Sequence, residues 1–124
     1  MAGIALKDAA LLREQCFIDG AWTGTGSIPV TDPARGETLA SVPDLGIDET
    51  RTAIATAEAA LPAWRAKLAG ERSRILRRWF DLVMQHQDDL AMILTREQGK
   101  PLAEAKGEIA YAASFIEWFA EEGK

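Results

Sequence analysis

The spacing of apolar positions changes about a third of the way along the chain. Before residue 46 they come in short runs broken by turn residues; after it they recur every three or four positions. That change predicts an α+β protein, mostly helical, with an N-terminal β-ribbon followed by several amphipathic helices. Three regions result: an N-terminal helix or arm over 1–15, a β-ribbon over 16–45, and a helical part over 46–124.

In the first region Leu6, Ala9, Ala10 and Leu12 alternate with charges, which predicts a short helix within 6–15. Cys16-Phe17-Ile18 and Ala21-Trp22-Thr23 then flank Asp19-Gly20, a dipeptide that favours a two-residue hairpin turn. Gly24-Thr25-Gly26-Ser27 reads as a loop. A strand over 28–31 leads into Asp32-Pro33-Ala34-Arg35-Gly36, where proline presets one turn position and Gly36 supplies positive φ. A return strand over 37–42 closes at Pro43. A ribbon this slight is not stable alone and must pack on something.

The helical region begins at Asp48, a good N-cap, with Glu49 in the first turn where the helix dipole favours an acid. Ile54, Ala57, Leu61, Trp64 and Leu68 form one stripe, and Pro62 inside it predicts a kink or break near Leu61. Gly70 separates this from a helix starting at Glu71, with Ile75, Leu76, Trp79, Phe80 and Val83 as its stripe. The polar stretch 86–88 predicts a bend with Asp88 or Asp89 as the next cap. A helix carrying Leu90, Ile93 and Leu94 follows and ends at Gly99.

Glu97-Gln98-Gly99-Lys100-Pro101-Leu102 reads as a sharp corner. Gly99 can close one helix in the left-handed conformation. Lys100 precedes proline and is pushed out of helical space. Pro101 suits the first position of a new helix. In that last helix Leu102, Ala105, Ile109, Ala112, Ile116 and Phe119 make one stripe, and Tyr111, Phe115 and Trp118 a neighbouring one. A helix this apolar around its circumference is built to be covered from more than one side. The expectation is that the chain is an N-terminal piece of a longer protein.

Composition narrows the function. The 124 residues fit one ordinary domain, and 48% hydrophobic content supports a core. A net charge of −5 argues against nucleic-acid binding. Arg72, Arg74, Arg77 and Arg78 interleave with apolar residues and read as a solvated helix face. The single cysteine, Cys16, excludes an internal disulfide and suits a reducing cytoplasm. No signal peptide, N-myristoylation pattern or membrane-spanning run is expected.

Candidate chemistry is sparse. Cys16 lacks a neighbouring base and reads as an inert thiol; His86, the one histidine, reads as a surface residue. Gly20, Gly24 and Gly26 are followed by loop and strand rather than helix, so they make no phosphate cradle. Glu104, Glu108, Glu117, Glu121 and Glu122 read as solvated helix positions. On motifs alone there is no catalytic and no cofactor-binding residue.

Taken in order, however, the motifs resemble the N-terminal part of the aldehyde dehydrogenases, most of all the succinate-semialdehyde dehydrogenases. Phe17-Ile18-Asp19-Gly20-Ala21-Trp22 resembles the family's opening strand pair. Val30-Thr31-Asp32-Pro33-Ala34-Arg35-Gly36-Glu37 resembles its next signature. Pro62-Ala63-Trp64-Arg65, Glu71-Arg72 and Ile75-Leu76 follow in order. Glu97-Gln98-Gly99-Lys100-Pro101-Leu102-Ala103-Glu104-Ala105 is the most specific match. The stretch 111–122, Tyr111-Ala112-Ala113-Ser114-Phe115-Ile116-Glu117-Trp118-Phe119-Ala120-Glu121-Glu122, carries the semialdehyde resemblance.

The resemblance implies oxidation of a small aldehyde to an acid with NAD or NADP. A cysteine thiolate would attack the aldehyde, hydride would pass to the nicotinamide, and a glutamate-activated water would release the acid. None of the family's catalytic residues has a match here, and Cys16, at the opening strand, does not correspond to the nucleophile. The region 46–124 would be the helical part of an incomplete cofactor-binding domain, inactive alone. Two features carry over. Val30, Thr31 and Glu97 match positions that hold an alkali cation through main-chain carbonyls. Tyr111, Phe115 and Trp118 match a helix flanking the substrate entrance, with core packing as the alternative. The resemblance implies homo-oligomers or association through the apolar last helix, with no nucleic acid and no membrane. The rival reading is a non-enzymatic helical interaction module derived from the same family.

Overall fold

Two short hairpins open the fold. In the computed structural model, which describes residues 3–124, β1 (Cys16–Ile18) pairs antiparallel with β2 (Ala21–Thr23), with Phe17 opposite Trp22. Asp19 and Gly20 turn at φ of 52° and 74°, both left-handed, the geometry that matches strand twist in a two-residue hairpin. β3 (Ile28–Thr31) pairs antiparallel with β4 (Thr38–Val42), and the register slips between Val30 and Thr31. The β-ribbon expected over 16–45 consists of two two-stranded sheets, one for each expected strand pair. Gly24 lies between them. It lies at φ 89°, and a Cβ there would come within 2.7 Å of Pro43. Only glycine lets the chain turn this tightly beneath Pro43.

The helix expected within 6–15 does not form; the arm holds one 3-10 turn, Ala9–Leu11. Asp8 starts it by accepting from the Ala10 N–H at 3.0 Å. The amides of Lys7 and Asp8 are taken by a distant carboxylate, Asp89, and this competes with any helical start further back.

Four helices follow: α1 (Ile47–Ala66), α2 (Ala69–Gln85), α3 (Gln87–Gln98) and α4 (Leu102–Glu122). α1 and α2 each start two residues before the expected point. Gly46, not Asp48, is the cap of α1, and Glu49 reaches back to its N–H at 2.9 Å. Glu71 does the same for Leu68 at 2.8 Å, so Gly70 falls inside α2. Pro62 does not break α1, which runs on to Ala66. Proline there removes one ladder bond near an end already close to fraying. The bend expected over 86–88 is a single residue: His86 ends α2 and starts α3, leaving Asp88 and Asp89 in the first turn. Gly99 closes α3 at φ 82°, its N–H bonded to the Thr95 carbonyl at 2.8 Å. Pro101 caps α4 rather than occupying its first turn.

α4 packs along both α2 and α3. The seam is made of small residues: Ala91, Ala105, Ala113 and Ala120 are fully or almost fully buried. Ala105, Ala113 and Ala120 are spaced by eight and seven residues, two turns each, so one narrow face of α4 meets its neighbours. Ala112 and Phe119, expected on the inner stripe, face outward instead. Small side chains bring the helix axes close and leave the large ones to flank the seam. Ile75 and Trp79 of α2 are exposed, and α1 has no buried residue. Among the described residues, no large side chain is completely enclosed.

Candidate functional site

Three places on this frame carry chemistry. The first is where the β3–β4 turn meets the end of α3. Asp32 is 6% exposed; its Oδ1 accepts from the Ala34 and Arg35 N–H groups at 2.8 and 3.2 Å. Its Oδ2 accepts from Arg96 Nε at 2.9 Å. The Ala34 amide first, then Arg35 and Arg96, hold this carboxyl below its ordinary value against the opposing effect of burial. Arg96 Nη2 also stands 3.7 Å from Glu37 Oε2. Beneath the corner lies Pro33: a Cβ added to Gly99 would sit 3.0 Å from its Cγ.

This junction places Val30 and Thr31 on β3, next to the turn, and Glu97 on the last turn of α3. Asp32 and Arg96, each a neighbour of these residues in sequence, are the groups in contact here. Carbonyl oxygens suit a hard cation, and the register slip at Val30/Thr31 interrupts the regular ladder there. Among the described residues no group of three or more His, Cys, Asp or Glu side chains could hold a metal ion.

The second place is the outer face of α4. Tyr111 and Phe115 meet edge to face with centroids 4.9 Å apart. Tyr111 is 66% exposed and Trp118 62%, and Phe115 is exposed beside them, so these rings lie outside the alanine seam. A shallow hollow of about 660 Å³ runs past Phe115, Trp118 and Phe119, with Glu117, Glu121 and Glu122 also lining it. Arg77 of α2 reaches this face, bonding Glu117 at 2.7 Å while its guanidinium covers the Phe80 ring at 4.8 Å.

The third place was not legible as a site. Asp89, 6% exposed, accepts from the Lys7 and Asp8 N–H groups, each at 2.9 Å. Those bonds hold its carboxyl below the ordinary value. Asp88 bridges Lys106 at 2.7 Å and Lys7 at 2.8 Å, and the bonds to these lysines lower its pKa to about 2. Two acids at a helix start signal a cap; nothing local indicates that their partners are Lys7 and Asp8, about eighty positions back, and Lys106 in α4. Cys16 stands half-buried in β1 and His86 at the α2–α3 junction, on separate elements. The structure does not assemble a nucleophile and base from them.

The fold is that of a known enzyme class. The sequence model of the aldehyde dehydrogenase family matches residues 22–124, and the chain belongs to that family. It is 63% identical over 122 residues to the NADP(+) succinate-semialdehyde dehydrogenase GabD of Escherichia coli, covering 96% of this chain and 25% of that protein. Against the glutarate-semialdehyde dehydrogenase of Pseudomonas aeruginosa the identity is 62% over the same coverage. The crystal structure of an E. coli NADP-dependent enzyme superposes with a TM-score of 0.94 at 62% identity, over 97% of this chain and 26% of that one. A succinate-semialdehyde dehydrogenase from Burkholderia pseudomallei gives 0.93 at 61%, again over 97% and 26%. The chain spans about a quarter of the length of the curated relatives it matches.

Proposed function

We propose that this chain is the N-terminal segment of an NAD(P)-dependent aldehyde dehydrogenase whose substrate is succinate semialdehyde. The observation that carries this is the 63% identity to a succinate-semialdehyde dehydrogenase across nearly the whole chain. Glutarate semialdehyde, one methylene longer, is the competing substrate, because a glutarate-semialdehyde dehydrogenase is almost equally similar. The nicotinamide supplies hydride acceptance; no residue of this chain is assigned to that step or to attack on the aldehyde.

The segment's own work is structural. Its alanine seam fixes α4 against α2 and α3, and α4 in turn holds Tyr111, Phe115 and Trp118 outward as one wall of the substrate entrance. The carbonyls of Val30, Thr31 and Glu97 are its contribution to an alkali-cation site. The exposed faces of α1 and α4 are the surfaces on which the rest of the enzyme, or another subunit, packs. The lone thiol and the acidic balance fit a cytoplasmic enzyme.

The test expresses the whole reading frame and, separately, residues 1–124. Reduction of NAD or NADP is followed with four- and five-carbon semialdehydes. The whole protein should turn over the four-carbon substrate with the higher kcat/KM, and the 124-residue chain should be silent. Turnover by the short chain alone would overturn the assignment of roles. A strong preference for the five-carbon substrate would overturn the choice of substrate while leaving the family intact.

A further inference from the structure

The N-terminal arm has almost no regular structure, yet both of its ends are tied to different parts of the fold. At one end the two oxygens of buried Asp89 each accept a consecutive backbone N–H, from Lys7 and Asp8. Charge-assisted bonds of this kind are about twice as strong as neutral ones. Asp88 reinforces the grip by linking Lys7 to Lys106 of α4. At the other end Glu14 accepts from the Ser41 N–H in β4 at 2.7 Å, and Gln15 donates to the Gly24 carbonyl at 3.3 Å. Arg13 lies over the Trp22 ring at 4.8 Å.

Between these ends there is one 3-10 turn and no strand pairing. The arm therefore has little to hold it once an end lets go. The two hairpins differ in what else secures them. β3–β4 is also fixed by the Asp32–Arg96 pair, whereas β1–β2 makes only slight contact with α1. We propose that residues 3–15 form a detachable strap, latched by Asp89, that ties both hairpins to the α2–α3 junction and opens as one unit while the helices stay folded. Local opening below the global unfolding free energy is the expected behaviour of an element with few buried contacts and its own anchor points.

The strap links the hairpins to a carboxylate some eighty positions from the arm residues it holds. Its ionic part, the exposed Lys7–Asp88–Lys106 bridge, weakens with salt, while the Asp89 bonds are shielded by burial. Added salt should thus loosen the arm without releasing it, and loss of Asp89 should release it.

Hydrogen exchange on the full chain, read by NMR, tests this with the Asp89→Ala and Glu14→Ala variants. In the wild type the Lys7, Asp8 and Ser41 amides should be protected. In Asp89→Ala the Lys7 and Asp8 amides, and also the remote Ser41 amide, should each exchange at least ~10-fold faster, with Ala113 in α4 unchanged. Glu14→Ala should reciprocate, speeding exchange at Lys7 and Asp8. Unprotected Lys7 and Asp8 amides in the wild type would remove the latch. An unaltered Ser41 amide in Asp89→Ala, or unaltered Lys7 and Asp8 amides in Glu14→Ala, would show that the ends act separately and overturn the strap. Faster exchange at Ala113 in step with the arm would overturn its independence from the helices.

Discussion

Asp32 and Arg96 meet at 2.9 Å although 64 positions separate them, and their contact is what seats the β3–β4 turn on the end of α3. Asp32 is nearly buried and Arg96 mostly so. Arg96→Leu should therefore lower the melting temperature, because the acid keeps its Ala34 and Arg35 amides but loses its counter-charge. Arg96→Lys should recover only part of the loss, since an ammonium does not reproduce the guanidinium's reach to both Asp32 and Glu37. Thermal unfolding of the two variants, ranked wild type above Lys above Leu, checks this.

Gly99 is the neighbouring test of the same corner. At φ 82° any side chain is strained, and a Cβ would press on Pro33 at 3.0 Å. Gly99→Ala should cost about 1–2 kcal/mol from the left-handed backbone, with the contact adding to it. Gly99→Asn should cost less, because asparagine tolerates that conformation better. Urea unfolding gives both values.

The alanine seam predicts sensitivity to added volume. Ala113→Leu inserts three carbons where exposure is zero. It should destabilise by about 1–3 kcal/mol by forcing α4 away from its neighbours. Ala112→Leu, one position along and exposed, should be near neutral. Paired denaturation curves separate the two.

Acid stability follows from the lowered carboxyls. Asp88 falls from an ordinary 3.8 to about 2 in the fold. A group depressed in this way contributes stability that is fully present above the unfolded pKa and lost as pH falls through the folded one. Asp32 and Asp89 are lowered in the same direction. Stability should therefore decline between about pH 4 and pH 2, and Asp88→Asn should flatten that decline. A pH series of melting temperatures for wild type and Asp88→Asn measures it.

Local signals carried much of this architecture. Asp19-Gly20 announced the first hairpin and Gly99-Lys100-Pro101 the corner, because each depends on backbone conformations set by one or two residues. The mistakes have separate causes. The arm is not helical because its amides bond Asp89, a partner no local window contains. Pro62 looked like a break, but its position near the end of α1 blunts the cost. Phe119 looked inward by period, but alanines at 105, 113 and 120 select the face that packs closest. The Asp32–Arg96 pair that joins the β3–β4 turn to α3 could not be read, since no spacing rule links positions in different elements.

The central claim is that this chain serves as the scaffold segment of a semialdehyde dehydrogenase. Its most direct test replaces the matching N-terminal quarter of the E. coli succinate-semialdehyde dehydrogenase with residues 1–124 and measures kcat/KM for succinate semialdehyde with NADP. The account predicts a folded chimera that keeps turnover within about tenfold of the parent, a barrier change of no more than ~1.4 kcal/mol. A chimera with native melting behaviour and no turnover would contradict it.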